Sequence, residues 1–170
     1  MYVLPLSEDI LSRASILSVS SFDKVKKDDL TYQIEADNLI QTIDNGGKNK
    51  ILICGYVQIS IAGPQHNIGV LLNKDGTIID GYRGDGSGSR TRNGTVGHNM
   101  PDGGYDNYTA AIHFNYLDTG GSTSAITYGV SVRNPSGSAR TIYMNRANTD
   151  TDNQYHYRTA STITVMEIKV

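Results

Sequence analysis

The stretch from Lys50 to Ala62 alternates between two sets of residues with a period of two, and this constrains the fold more than any other feature of the chain. Such an alternation places one set of side chains on each face of a β-strand. A helix is disfavoured here because Gly55 and the dense β-branched residues lower helix propensity. The stretch therefore predicts a strand that lies on a core. Its aliphatic face would carry Ile51, Ile53, Val57, Ile59 and Ile61, and its mixed face Leu52, Cys54, Tyr56, Gln58 and Ser60.

Shorter alternating runs recur along the chain, separated by segments rich in Gly, Asn, Asp and Ser. The strongest turn signal is Asp75-Gly76, which is typical of a β-hairpin. Gln33 to Ile43 is less typical of a strand, and we expect it to hold one turn of helix. Short strands at this spacing predict an all-β antiparallel sandwich or barrel. The further predicted strands are Leu11 to Ser20, Thr31 to Ala36, Asn67 to Leu72, Thr77 to Tyr82, Tyr108 to Leu117, Ala125 to Arg133, Arg140 to Asn145 and Ala160 to Ile168.

Two long polar segments interrupt this pattern. Gly81 to Asp106 is rich in glycine and carries charges of both signs, and Asn145 to Arg158 is similarly polar. Neither contains an apolar run, so both should lie on the surface. With 170 residues the chain can build one domain with a substantial core. We expect residues 1–11 to form an N-terminal arm and residues 12–170 to form that single domain.

The charge distribution limits the partners of this chain. The net charge is −2 and the fifteen basic residues are dispersed, which argues against nucleic acid as a partner. No stretch approaches the roughly 20 apolar residues that a membrane span requires, so we expect no membrane insertion. The first residues lack the features of a secretory signal, which predicts synthesis in the host cytoplasm. The single cysteine, Cys54, excludes an internal disulfide framework.

A search for catalytic and ligand-binding patterns yields little. Cys54 falls within a predicted strand, without the helix N-terminus or the tight turn that activates a thiolate. The glycine-rich run from Gly84 to Gly88 lacks the Lys and helix of a phosphate-binding loop, and the four histidines are scattered. Asn148, Asp150 and Asp152 begin like a calcium loop but lack its glycine and glutamate, so a solvated turn is preferred. We therefore predict no cofactor.

The remaining loop carboxylates sit beside Gly or Asn, where turn formation explains them. We therefore predict that the protein is not an enzyme. A small glycan-degrading enzyme is the alternative, because two of these carboxylates could converge in a cleft. The carboxylates in question are Asp75, Asp80, Asp85, Asp102, Asp106 and Asp118.

Four segments of the C-terminal half carry a resemblance to a known family: Gly88 to Arg92, Asp118 to Tyr128, Ile142 to Arg146, and Arg158 to Ile168. In this order they resemble the C-terminal domain of tail-fibre and virion decoration proteins of marine and cyanobacterial phages. The last segment is the most specific, and the resemblance spans roughly residue 12 to the end. It implies an antiparallel jelly-roll sandwich like the heads of C1q and tumour necrosis factor, which form trimers.

The resemblance leads to a functional prediction. The last strand carries apolar residues on both faces, and we expect a trimer interface to bury Met166, Ile168 and Val170. The chain shows no fibre shaft, which favours a capsid decoration or cement protein on the virion surface. Its partners would be its own copies in a homotrimer and the major capsid protein or another virion protein. The arm residues predicted to contact that protein are Tyr2, Val3, Leu4 and Leu6.

The alternative is a receptor-binding tip of a tail fibre that recognises a host surface glycan. Tyrosines beside charged residues in polar loops could stack on sugars and bind their hydroxyl groups. The residues predicted to form these ligand-binding loops are Arg83, Arg90, Arg92, Tyr105, Tyr108, Tyr155 and Tyr157.

Overall fold

The computed structural model describes residues 11–19, 26–28, 31–33, 40–44, 49–61, 67–97, 108–119, 121, 124–134 and 141–168. Within these ranges the only helical element is the short 3-10 helix Asp80–Tyr82. The strands are β1 (Leu11–Val19), β2 (Lys26–Asp28), β3 (Thr31–Gln33), β4 (Ile40–Asp44), β5 (Lys50–Ile61), β6 (Ile68–Lys74), β7 (Thr77–Ile78), β8 (Thr95–Gly97), β9 (Ala110–Asp118), β10 (Ala125–Arg133), β11 (Ile142–Met144) and β12 (Ser161–Ile168).

The strands form two antiparallel sheets, and their order is that of a jelly roll. Sheet A runs β1, β12, β5, β9, with β11 beside β5 on the same side as β12. In sheet B, β3 and β4 pair with one side of β10, while β6 pairs with the other side and is followed by β7 and β8. Strands that occupy the same position in a sheet can be counted as one, namely β3 with β4, β7 with β8, and β11 with β12, leaving aside β2, which pairs with β3. Numbered in chain order, the eight positions then run 1-8-3-6 in sheet A and 2-7-4-5 in sheet B, which is the double Greek key of a jelly roll. The predicted all-β sandwich is confirmed.

The core lies between the two sheets. The aliphatic face of β5 points inward as its alternation predicts, and Ile51, Ile53 and Val57 are fully buried. The opposite sheet contributes Val70, Ile126 and Val132, which are equally inaccessible. Burying each such side chain stabilises the fold by about 1.5–3 kcal/mol. This core holds the two sheets together and fixes which face of each sheet is exposed.

The predicted hairpin at Asp75-Gly76 is confirmed. Both residues have a positive φ, 49° and 78°, which is the signature of a type I′ turn. The Asp75 carboxylate also accepts a hydrogen bond from the Thr127 amide at 2.8 Å, tying the turn to β10. The turn joins β6 to β7 as the sequence indicates.

Each of the two long polar segments contains a loop that interrupts pairing along a single strand. The chain pairs with that strand, departs into the loop and then pairs with the same strand again. β7 and β8 lie in succession along β6, and residues 79–94 between them form the first excursion loop. Its ends are anchored on β6 where Ile79 N donates to Leu72 O and Gly94 N donates to Val70 O. β11 and β12 likewise succeed each other along β5, and residues 145–159 form the second excursion loop.

Four predictions from the sequence were wrong. The strand predicted over Thr77 to Tyr82 ends at Ile78, and residues 80–82 form the 3-10 helix, in which Tyr82 N donates to Ile79 O and Arg83 N donates to Asp80 O. A helical turn was predicted within Gln33 to Ile43, but residues 40–43 belong to β4 because their backbone pairs with Gly129 and the residues before it. Residues 34–39 lie outside the described part of the chain. The segment from Gly81 to Asp106 contains the strand β8. Asp118 is a buried residue at the end of β9 rather than a turn residue.

Candidate functional site

A row of apolar residues crosses the outer face of sheet A. Met166 of β12 pairs with Leu52 of β5, which in turn pairs with Leu117 of β9. On the other side of β12, Ala14 of β1 is in register with Met166. Met166 and Leu52 are half-buried, and Leu117 is 46% exposed. We call Met166, Leu52 and Leu117 the apolar row.

The row on one side of the apolar row pairs Ile168 with the exposed Lys50. On its other side, the next two rows carry polar side chains. Thr164, Cys54 and Asn115 form one of them, and the other consists of Thr162, Tyr56 and His113. Neither row contains Asp, Glu, Lys or Arg. A surface depleted of charge and carrying apolar and aromatic groups has the composition of a protein interface centre.

The predicted trimer-interface residues fall on this face where the structure describes them. Met166 belongs to the apolar row, and Ile168 is half-buried in register with Lys50. Val170 lies outside the described residues, as do the arm residues Tyr2, Val3, Leu4 and Leu6. The trimer and the role of the arm remain predictions.

The second excursion loop presents two of the predicted tyrosines. Tyr155 is 58% exposed and Tyr157 is 51% exposed. The loop is closed by Arg158, whose Nε and Nη2 donate to the Asp150 carboxylate at 3.1 and 2.7 Å. Arg146 approaches the same carboxylate at 3.8 Å, so the two basic residues hold Asp150 from two sides. The Asp150 carboxylate is thus engaged by ion pairs with Arg158 and Arg146.

The base of this loop is fixed by buried hydrogen bonds. Asn145 is fully buried with φ 59°, and its amide donates to Gln58 O at 2.8 Å. Its side-chain oxygen accepts from Ser161 Oγ at 2.5 Å, and Ser161 Oγ itself accepts from the Gln58 amide at 2.9 Å. A loop held at both ends loses little conformational freedom when it binds a ligand.

The first excursion loop contains the three predicted arginines. Arg83 and Arg92 both bind the Asp80 carboxylate, Arg92 through Nη1 at 3.0 Å. Their hydrogen bonds hold the pKa of Asp80 below its usual value. Arg92 also donates from Nε to Gly84 O at 2.7 Å. Arg83 and Arg92 therefore shape the loop, whereas Arg90 is exposed at its turn.

The remaining tyrosines of the predicted ligand set are elsewhere. Tyr108 is 44% exposed and precedes β9, and Tyr105 lies outside the described residues. The structure thus brings the predicted residues together in two separate groups, Arg83 with Arg92 and Tyr155 with Tyr157. Sequence reasoning missed Leu52 and Leu117, whose alternation was visible but whose common row depends on strand register.

Metal and membrane sites were also sought. No three His, Cys, Asp or Glu residues cluster as potential metal ligands in the described part of the chain. Over those same residues, no helix is both long and apolar enough to cross a membrane.

Fold and surface together define an all-β jelly roll with an apolar row on the outer face of sheet A. No protein-family model matches the chain, and no curated protein matches it. Structural similarity is found to chains in structures of infectious bursal disease virus, at 11% identity for the Gt strain and 14% for the Gx strain. Both have a TM-score of 0.37, and the alignment covers 100% of this chain and 41% of each of theirs. Matches of this size establish neither fold nor function, and the fold assignment follows from strand order.

Proposed function

We propose that this chain is a virion structural protein, a homotrimeric knob on the particle surface that serves as a capsid decoration or cement protein. The sequence resemblance to phage virion proteins implies a jelly roll, and the observed strand order is that of a jelly roll. We expect the protein not to be an enzyme and to bind the major capsid protein or another virion protein.

The observation that carries the trimer proposal is the apolar row on the outer face of sheet A. The apolar row and the two rows on its Cys54 side extend over β12, β5 and β9 without Asp, Glu, Lys or Arg, and Lys50 lies at the border of this patch. In a single copy, nearly half of Leu117 faces water. Association across this face would bury the row, and each fully buried leucine would contribute about 1.5–3 kcal/mol. A closed ring of copies is a common way to cover such a face.

The oligomer test compares two charge substitutions at exposed apolar residues. Leu117→Glu places a carboxylate in the apolar row, whereas the control Val96→Glu places one on β8 of sheet B at a side chain that is 52% exposed. We expect wild type and Val96→Glu to elute as trimers and Leu117→Glu as a monomer in size-exclusion chromatography with light scattering. A monomeric wild type, or a trimeric Leu117→Glu, would contradict the proposed interface.

The location on the particle is tested separately. Quantitative mass spectrometry of purified virions should give a copy number comparable to that of the capsid lattice. A copy number like that of tail components would instead favour the tail.

Deleting residues 2–10 should leave the trimer intact and abolish its retention on particles, because the predicted contacts of Tyr2, Val3, Leu4 and Leu6 are removed. Full retention would overturn the role of the arm.

A second candidate function is recognition of a host surface glycan by a tail-fibre tip. The observation in its favour is the pair of exposed rings, Tyr155 and Tyr157, on a loop that Asp150 and Arg158 hold closed. Rings presented by a preformed loop suit sugar stacking because little ordering is needed. The double variant Tyr155→Ala/Tyr157→Ala should then lose binding of the purified trimer to host cells, while Val96→Ala, at an exposed residue outside the predicted set, keeps it. Equal binding by both variants would exclude this use of the loop.

A further inference from the structure

β9 forms one edge of sheet A, and the backbone groups that face away from the sheet can be assigned. Gln58 accepts a hydrogen bond from Asn145 N and donates one to Ser161 Oγ, so both its backbone groups point away from β9. In an antiparallel strand the direction alternates, so Val57 and Ile59 point toward β9. Their partners Ile112 and Ala110 are therefore the residues that bond to β5. The backbone groups of the intervening residues point to the open edge: Ala111, His113, Asn115 and Leu117.

Over its described residues, the β9 strand itself lacks three features that commonly prevent pairing with another strand. Edge strands are commonly protected by bulges, by proline or by basic side chains. β1 lies at the opposite edge of sheet A. Its register is irregular between Leu11 and Arg13, and Arg13 is itself a basic residue. β9 pairs with β5 in unbroken register over nine residues and contains no proline, lysine or arginine. The two edges of one sheet thus differ in their protection.

A cleft of about 410 Å³ runs along the β9 edge. One wall is His113–Tyr116, and the facing wall consists of Gly81, Tyr82, Gly94 and Thr95. Successive side chains of a strand point to opposite faces, so lining by four consecutive residues is the pattern expected of a cleft along the strand edge. The outward backbone groups of His113 and Asn115 therefore open into this cleft.

The glycines of the facing wall leave room for two tyrosine side chains. A Cβ at Gly81 would lie 2.7 Å from the Tyr116 hydroxyl, and one at Gly94 would lie 1.8 Å from the Tyr82 ring. Tyr82 and Tyr116 pack edge to face with centroids 5.8 Å apart, and Phe114 is buried. The aromatic rings thus serve packing, while the cleft itself offers backbone hydrogen-bonding groups and space.

We propose that this cleft binds an extended segment of a different polypeptide, which adds to sheet A as a strand beside β9. Main-chain hydrogen bonds to His113 and Asn115 would hold the segment, as in other cases of strand addition. The segment should be uncharged because no Asp, Glu, Lys or Arg among the described residues lines the cleft. A second copy of β9 is disfavoured because a wall formed by Gly81, Tyr82, Gly94 and Thr95 faces the β9 edge of each copy. The proposal goes beyond the virion role and does not depend on it.

The test uses the full-length protein and a displayed library of random peptides that lack Asp, Glu, Lys and Arg. An enriched peptide is synthesised, and its affinity is measured by fluorescence anisotropy for wild type, Asn115→Pro and Asn115→Ser. Proline at position 115 removes an amide that faces the cleft without removing a bond to β5. The serine control removes the same side chain but keeps that amide. We expect Asn115→Pro to weaken binding about tenfold or more and Asn115→Ser to stay within about twofold.

Equal affinity of the proline variant and wild type would overturn the proposal, and so would the absence of an enriched peptide. If Asn115→Pro fails to fold, amide hydrogen exchange of wild type decides. The His113 and Asn115 amides should exchange rapidly in the free protein and slowly with bound peptide, whereas the Phe114 amide should be slow in both. Protection of His113 and Asn115 without peptide would indicate pairing between copies and would contradict the proposal. None of these outcomes bears on the Leu117→Glu test of the trimer.

Discussion

The Asp118 carboxylate on β9 accepts a hydrogen bond from the Tyr128 hydroxyl on β10 at 2.6 Å, which links the two sheets through their side chains. Lys74 of β6 donates to the same carboxylate oxygen at 2.7 Å. Tyr128 is almost fully buried. Burial is the largest cause that raises the pKa of its hydroxyl far above the usual value, and the hydrogen bond to Asp118 is the next. The hydroxyl is therefore protonated and able to donate at neutral pH.

Tyr128→Phe should lower the free energy of unfolding by about 1–2 kcal/mol, because the variant removes one donor from a partly buried carboxylate. The ring and its packing are preserved, so the loss reports on the hydroxyl. Urea denaturation followed by circular dichroism measures it. The control is Tyr155→Phe, at an exposed position, which should change stability by less than about 0.5 kcal/mol. Equal stability of the two variants would show that the link between the sheets contributes nothing.

Asp118 should also make stability depend on pH in the acid range. Burial raises its pKa, but hydrogen bonds from Lys74, Tyr128 and the Thr119 amide lower it more, so that the folded value lies below 3.8. A carboxyl with a depressed folded pKa contributes stability above its unfolded pKa and loses that contribution as the pH falls toward the folded value. The stability difference between wild type and Asp118→Asn should therefore be largest near neutral pH and shrink below about pH 4. A difference that grows on acidification would contradict this assignment.

The sequence was sufficient for the sheet architecture because buried faces repeat with a period of two. The central strand was predicted as Lys50 to Ala62 and observed as Lys50–Ile61, and Ala125–Arg133 agrees at both ends. The prediction for residues 40–43 was wrong because their side chains follow no clear period. They form a strand because their backbone pairs with β10. Long-range pairing of this kind leaves no local signal.

The candidate surfaces were less accessible to sequence reasoning. Tyr155 and Tyr157 could be expected at the surface from the polarity of their loop. The apolar row could not, because Met166, Leu52 and Leu117 become neighbours only through the register of three strands distant in sequence. The engagement of Arg83 and Arg92 by Asp80 likewise depends on how the first excursion loop closes.

Gly55→Ala should disrupt the centre of sheet A. A Cβ at this position would lie 2.2 Å from Thr162 O and 2.9 Å from the Phe114 ring, and the backbone oxygen cannot move without displacing β12. Overpacking in a core typically costs about 1–3 kcal/mol, and a backbone clash belongs at the upper end. Gly88→Ala is the comparison, since a Cβ there meets nothing within 4 Å. Thermal unfolding should show a large decrease for Gly55→Ala and a small one for Gly88→Ala, where φ is 57°. An unchanged melting temperature for Gly55→Ala would mean that β12 lies further from β5 than described.

Asp150→Ala should open the second excursion loop while leaving the sandwich intact. The substitution removes the acceptor of both Arg158 hydrogen bonds and the partner of Arg146, so that two cations face each other. Because the ion pairs are partly exposed, the global stability should fall by only about 0.2–1 kcal/mol. Local opening is reported more sensitively by limited proteolysis, since chymotrypsin should cut after Tyr155 or Tyr157 faster in the variant than in wild type. Asp152→Ala, at an exposed carboxylate of the same loop, is the matched control and should be cut at the wild-type rate. Equal cleavage of Asp150→Ala and Asp152→Ala would show that the buried anchor at Asn145 and Ser161 fixes the loop without help from the ion pairs.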